Sequence, residues 1–185
     1  MRIIGGSARG LHLTPVGIGD AQAHLRPTSD RVRESIFNLL INGGYGNPLR
    51  DARVLDVFAG TGALGLEALS RGASSAVFLE NGVAATALLK RNIALMRAET
   101  RAEILRRDAT KPGLNPGAAF EVIFLDPPYG KAMGEAALLA LAPWLAPEAL
   151  VIWEESTKPI PPAGFEPLDQ RKYGDTLVTL LKAPA

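Results

Sequence analysis

Across the middle of this 185-residue chain, short apolar runs take turns with alanine- and leucine-rich segments. The runs at 54–58, 76–79, 122–125 and 150–153 are almost continuously apolar, as strands buried on both faces must be. A weaker run lies at 102–105. The segments 63–70, 84–96 and 132–141 carry helical composition. That alternation predicts an α/β fold in which helices cover both sides of a mostly parallel sheet. Pro159, Pro161 and Pro162 set off a tail in which 176–181 reads as a strand, closing a terminal antiparallel hairpin.

The first residues follow a different pattern. Apolar residues mixed with Gly5, Gly6 and Gly10 ahead of Pro15 predict a short hairpin, and 16–24 reads as a loop. A helix begins near Thr28, Ser29 and Asp30, all suited to its N-cap. Val32, Ile36, Leu39 and Leu40 share its apolar face, Arg31, Glu34 and Asn38 lie opposite, and Asn42-Gly43-Gly44 ends it. The expected division is a hairpin-and-helix extension over 1–48 and a core over 49–185.

Several chemistries are excluded at this stage. With no cysteine there can be no disulfide, thiolate zinc site, iron–sulfur cluster or cysteine nucleophile. His12 and His24 are the only histidines, so no metal site is expected. Residues 1–10 lack the apolar run of a secretory signal. The apolar stretch 136–153 is broken by Pro143 and Pro147 and carries Glu148, so no membrane span is expected and the cytoplasm is the default. A net charge of +1 does not announce a nucleic-acid binder. Yet Arg2, Arg9, Arg26, Arg31 and Arg33 crowd the first part of the chain, either as a solvated face or as phosphate contacts.

Acidic residues fall where the predicted strands end: Asp56, Glu80, Asp108, Asp126, then Glu154 and Glu155. Ligands of open parallel sheets bind outside the carboxyl ends of the strands, so these acids would share one crevice. Gly60-Thr61-Gly62-Ala63-Leu64-Gly65 is a G-x-G-x-x-G that follows a strand and opens a helix. Glu80 stands about 20 residues beyond the first glycine, where an acid reaches ribose hydroxyls. NAD and S-adenosyl-L-methionine both present such a ribose. Asp56 favours the second, because an acid beside a pyrophosphate is repelled whereas the cationic methionine end is attracted.

Asp126-Pro127-Pro128-Tyr129 directly follows the fourth candidate core strand, 122–125, with the weaker run at 102–105 counted as the third. The prolines fix the backbone and remove two N–H donors, leaving carbonyls free beside an acid and an aromatic ring. An exocyclic amine is a poor nucleophile because its lone pair is conjugated with the base. Acceptance of both its hydrogens, by Asp126 and the Pro127 carbonyl, would favour charge developing on nitrogen. Tyr129 can stack on a base that has left its helix, with Pro128 beside it. A rigid turn at a strand end is the plainer explanation, but it leaves the coincidence with the glycine loop unaccounted for.

On these residues the sequence resembles the RsmD family, bacterial 16S rRNA (guanine-N(2))-methyltransferases. The likeness is carried by 1–6, Arg9-Gly10, 25–38, the glycine loop 54–62, 126–129 and Lys172-Tyr173-Gly174-Asp175-Thr176. It implies a Rossmann-like class I methyltransferase with a seven-stranded sheet whose last strand is antiparallel. It implies that Asp56, Phe58, Gly60, Thr61, Gly62, Glu80, Asp108 and Ala109 hold S-adenosyl-L-methionine, with Glu80 on the ribose and Asp108 and Ala109 near the adenine. The implied partner is 16S rRNA in the small ribosomal subunit, with 1–48 as the RNA-contacting extension. Arg26, Arg31 and Arg33 are the expected phosphate contacts, and a monomer suffices. The loop at 16–24 is longer than the family pattern. Three other readings stand beside it. A DNA adenine amino-methyltransferase shares the tetrapeptide but generally needs a separate recognition region. A nicotinamide-dependent oxidoreductase would carry a hydride-transfer pair such as tyrosine–lysine. A non-catalytic RNA-binding assembly factor would leave Asp126 and Tyr129 unexplained.

Overall fold

The computed structural model describes residues 1–14 and 29–185. The loop expected at 16–24 and Arg26 lie outside the described residues. Helix α1 (Asp30–Asn42) precedes an alternation of β1 (Arg53–Val57), α2 (Ala63–Ser70), β2 (Ser75–Leu79), α3 (Val83–Leu95), β3 (Ala102–Leu105), β4 (Phe120–Leu125), α4 (Met133–Leu141) and β5 (Leu145–Glu155). The hairpin β6 (Glu166–Tyr173) and β7 (Thr176–Lys182) follows. All seven strands form one sheet in the order β3-β2-β1-β4-β5-β7-β6. Strands β1 to β5 run parallel, and β7 runs antiparallel to both its neighbours. Strand order reverses at β1, which pairs with β2 on one side and β4 on the other. Connections leave that point in opposite directions, and a crevice opens above the carboxyl ends of β1 and β4.

The two-residue period of each strand feeds two cores. Val54, Val122, Phe124, Leu150 and Ile152 pack with α1, α2 and the Leu89–Ile93 side of α3. Leu55, Val57, Ile123, Leu125, Val151 and Trp153 pack with Ala137, Leu138 and Leu141 of α4 and with Trp144. Every residue of α2 is buried, because the N-terminal residues cover the side that the sheet does not. Ile3 and Leu13 belong to the same cluster as α2, so the first residues are continuous with the core.

Buried polar groups pin that covering segment in place. Glu67 of α2 accepts the Ile4 and Gly5 amides, each at 2.8 Å, and the Arg71 guanidinium at 2.7 Å. Ser70 accepts from the Ala8 amide at 2.9 Å and donates to the Gly5 carbonyl at 2.6 Å. The expected hairpin is a single antiparallel bridge, Arg2 with His12, flanked by the Ile3-to-Leu11 and Leu13-to-Met1 backbone bonds.

Helix α1 begins at Ser29, whose hydroxyl accepts the Val32 amide at 3.2 Å. Its buried face differs from the expected stripe: Arg33, Ile36, Phe37 and Leu40 are inside, while Val32 and Leu39 are only half-buried. Arg33 therefore corrects the reading of the N-terminal arginines. Its side chain is wholly buried, where no RNA phosphate can reach it. It donates to the Arg2 carbonyl, pairs with Asp30 at 2.9 Å and lies 4.0 Å from Glu67. Burial lowers its affinity for its proton, and Asp30 and Glu67 oppose that loss.

Strand β5 starts earlier than its apolar run and contains Glu154 and Glu155 rather than ending before them. Strand β6 is almost wholly exposed, being an edge strand of polar residues with an irregular register at Pro167 to Asp169, features that discourage pairing with another sheet. Among the described residues no helix is long and apolar enough to cross a membrane.

Candidate active site

A cleft of about 1290 Å³ opens at the carboxyl ends of the parallel strands. Asp56, Phe58, Gly60, Thr61, Glu80, Asp108, Ala109 and all four residues of the Asp126–Pro127–Pro128–Tyr129 turn line it. Exposed Arg31 stands on its α1 wall. Gly62 is set back as the N-cap of α2. Arg33 is absent from the cleft, and Arg26 lies outside the described residues.

Backbone conformations that favour glycine shape the first wall. Gly60 and Gly62 have φ of 56° and 79°, and a Cβ on Gly62 would lie 2.3 Å from Leu89 Cδ1. Phe58 also adopts a positive φ, 60°, an uncommon state for a bulky residue that turns the chain sharply out of β1. Gly65 lets α2 press on the sheet, since a Cβ there would meet Phe78 Cε1 at 2.4 Å. At the far end of the loop, the Thr61 carbonyl accepts the Asn92 side-chain amide at 2.9 Å.

Acids stand above these turns. Glu80 Oε2 accepts the Gly60 amide at 2.9 Å and Oε1 accepts the Gly82 amide at 2.6 Å. Each oxygen keeps a lone pair for a vicinal diol. Asp108 Oδ1 accepts from the Thr110 amide and hydroxyl, both at 2.8 Å, which hold its carboxyl below the usual range. Asp56 accepts the Gly65 amide at 2.8 Å within the protein interior. Burial pushes its carboxyl well up, the Gly65 bond opposes this, and the charges of Asp126 and Glu80 add to the rise. A cation in the cleft would relieve that repulsion.

The second wall is the turn after β4. The Asp126 amide reaches the Val57 carbonyl at 3.4 Å, bringing the turn against the end of β1. Pro127 is buried, Asp126 and Tyr129 are half-buried, and Pro128 is exposed. The Tyr129 hydroxyl lies 3.3 Å from Thr176 Oγ1, and the Gly130 amide donates to Glu155 Oε1 at 3.2 Å.

Sequence reasoning missed part of this cleft. Lys172, Tyr173 and Thr176 come from the β6–β7 turn, Lys131 follows the tetrapeptide, and Arg107 precedes Asp108. Local pattern marks 172–176 only as a turn, and its place over the cleft follows from β7 inserting beside β5. Glu154, one of the strand-end acids expected to share the crevice, does line it, with the parity of Leu150 and Ile152.

The sheet order, the antiparallel β7 and the cleft at the β1–β4 switch define a Rossmann-like class I S-adenosylmethionine-dependent methyltransferase fold. More particularly, the chain belongs to the RsmD family, whose model, described as Conserved hypothetical protein 95, matches residues 1–182. It is 36% identical over 190 aligned residues to Ribosomal RNA small subunit methyltransferase D of Escherichia coli, covering 100% of this chain and 91% of that one. The Haemophilus influenzae protein of the same name is 37% identical over 183 residues, covering 94% and 89%. The solved Escherichia coli protein yhhF matches 100% of this chain and 98% of its own, with 36% identity and a TM-score of 0.83.

Proposed function

We propose that this chain transfers a methyl group from S-adenosyl-L-methionine to the exocyclic 2-amino group of a guanine in 16S rRNA of the small ribosomal subunit. The observation that carries the reading is the placement of the Asp126–Pro127–Pro128–Tyr129 turn across one cleft from the glycine loop. The names of the relatives agree with a small-subunit rRNA substrate.

The cleft's residues suit this cofactor. Glu80 would take the ribose hydroxyls, Asp108 and Ala109 the adenine, and Asp56 with the backbone at Phe58, Gly60 and Thr61 the cationic amino-acid end. When bound, the cofactor supplies an electrophilic methyl carbon. The protein's task is orientation and charge. Asp126 and the Pro127 carbonyl accept the two amine hydrogens, Tyr129 stacks on the extruded base, and Asp126 is placed to receive the proton the amine sheds. Arg31, on the rim, contacts a phosphate, and residues 1–48 form the RNA-contacting extension. The reading includes a cytoplasmic monomer that uses no metal.

Labelled S-adenosylmethionine, small subunits lacking the modification and duplex DNA in parallel test this, with nucleoside analysis of the product. Guanine methylated at its 2-amino group supports the proposal, and label in DNA adenine overturns the substrate. Asp126→Ala is expected to bind cofactor normally and lose at least ~10²-fold in turnover. Near-normal turnover removes Asp126 from the mechanism.

A further inference from the structure

We propose that Thr176 is a positioning residue that sets the Tyr129 ring for the target base through the contact between their hydroxyls. The inference rests on the reading of Tyr129 as the residue that stacks on that base.

Tyr129 belongs to a turn outside regular secondary structure. Its hydroxyl lies 3.3 Å from Thr176 Oγ1, and either group can donate. Thr176 itself is firmly held. It opens β7 and pairs with Tyr173 across Gly174, which has a φ of 62°, and Asp175. Strand β7 then runs between β5 and β6, with Val178, Leu180 and Leu181 fully buried.

A second tie lies one rung away. Leu177 pairs with Glu155, whose Oε1 accepts the Gly130 amide just after Tyr129. The same oxygen accepts the Ser156 amide and hydroxyl at 3.0 and 3.1 Å. Neighbouring residues of β7 thus serve both ties: Thr176 meets the ring tip, and Leu177 pairs with the Glu155 that holds the backbone of the turn. A ring fixed before the base arrives spares the ordering cost at the moment of reaction. Because the contact is made by a hydroxyl, serine can replace threonine there and valine cannot.

Steady-state transfer to the RNA substrate, with equilibrium binding of S-adenosylmethionine measured in parallel, tests the assignment. Thr176→Val is expected to lower kcat/KM for RNA about three- to tenfold, the range for one neutral hydrogen bond. Cofactor affinity stays unchanged. Tyr129→Phe removes the same contact from the other side and loses a similar factor, and the double variant is no worse than either single one. Thr176→Ser restores activity to within about twofold of the parent. Parental kcat/KM in Thr176→Val, or losses that multiply in the double variant, overturns the role of Thr176. Tyr129→Ala separates this from the reading beneath it and is expected to lose about ten- to a hundredfold. If Tyr129→Ala is impaired while Thr176→Val is not, only the role of Thr176 falls. Full activity in Tyr129→Ala removes both.

Discussion

Asn92 donates its side-chain amide to the Thr61 carbonyl at 2.9 Å, so a wholly buried side chain on α3 holds the glycine loop from behind. The other end of the same carboxamide accepts the Thr14 amide at 2.8 Å. One residue thereby ties the N-terminal segment to the loop. Asn92→Leu strands a carbonyl and an amide, at a cost of about 1–3 kcal/mol for each buried group left unpaired. Urea unfolding is expected to show that loss, with weaker S-adenosylmethionine binding by calorimetry. Unchanged stability and affinity would deny the tie any importance.

The proton on Asp56 makes stability depend on pH. Its folded-state carboxyl is raised, first by burial and then by Asp126 and Glu80, against the opposing Gly65 bond. Above the ordinary carboxylate range the native protein therefore holds a proton that the unfolded chain has released. Stability contributed by this group is full below the unfolded pKa and falls as pH rises towards the folded one. Asp56→Asn lacks that dependence, so its stability relative to the parent is expected to increase with pH. Unfolding curves in urea at several pH values, without cofactor, read this directly. A constant difference sinks it.

Gly65→Ala tests the close approach of α2 to the sheet. The new methyl would meet Phe78 Cε1 at 2.4 Å and Asp56 Oδ2 at 3.1 Å, and the Phe78 ring is fully buried. Overpacking of this kind costs about 1–3 kcal/mol, outweighing the roughly 1 kcal/mol that alanine gains in a helix. Thermal unfolding is expected to fall by several degrees, and a higher midpoint would show that the ring gives way freely.

Arg31 and Arg33 are two residues apart and should behave as opposites. Neutralising exposed Arg31 with Arg31→Gln is expected to leave stability alone and reduce the salt dependence of RNA binding by about 0.7–0.9 in log–log slope. Arg33→Met removes the buried partner of Asp30 and Glu67, and breaking such a pair costs about 3–5 kcal/mol. Its salt slope, measured on folded protein, should match the parent. A reduced slope in Arg33→Met alone would contradict the burial of that side chain.

The sequence was most informative where a local pattern and the architecture agree. Strands β1, β2 and β4 are buried on both faces and therefore read as apolar runs, with the cleft acids at or near their ends. The glycine loop and the tetrapeptide are contiguous, so their chemistry is visible before folding. Arg33 was misread because a polar residue on a helix normally marks the wet side, and only Asp30 and Glu67 arriving from two directions make its burial tolerable. Strand β6 had no apolar signal because it is an exposed edge. Thr176 reaches Tyr129 over 47 positions of sequence, a meeting that no window of local pattern contains.

Strand order also decides what each strand depends on. Among the described residues, β6 joins the sheet only through β7, although β6 is synthesised first. Its place in the sheet therefore depends on residues 176–182 lying beside β5. The glycine loop and Glu80 stand at the ends of β1 and β2, whereas Lys172, Tyr173 and Thr176 reach the cleft only through the β6–β7 hairpin. The side of the cleft that would face a large ligand is thus the side that β7 completes.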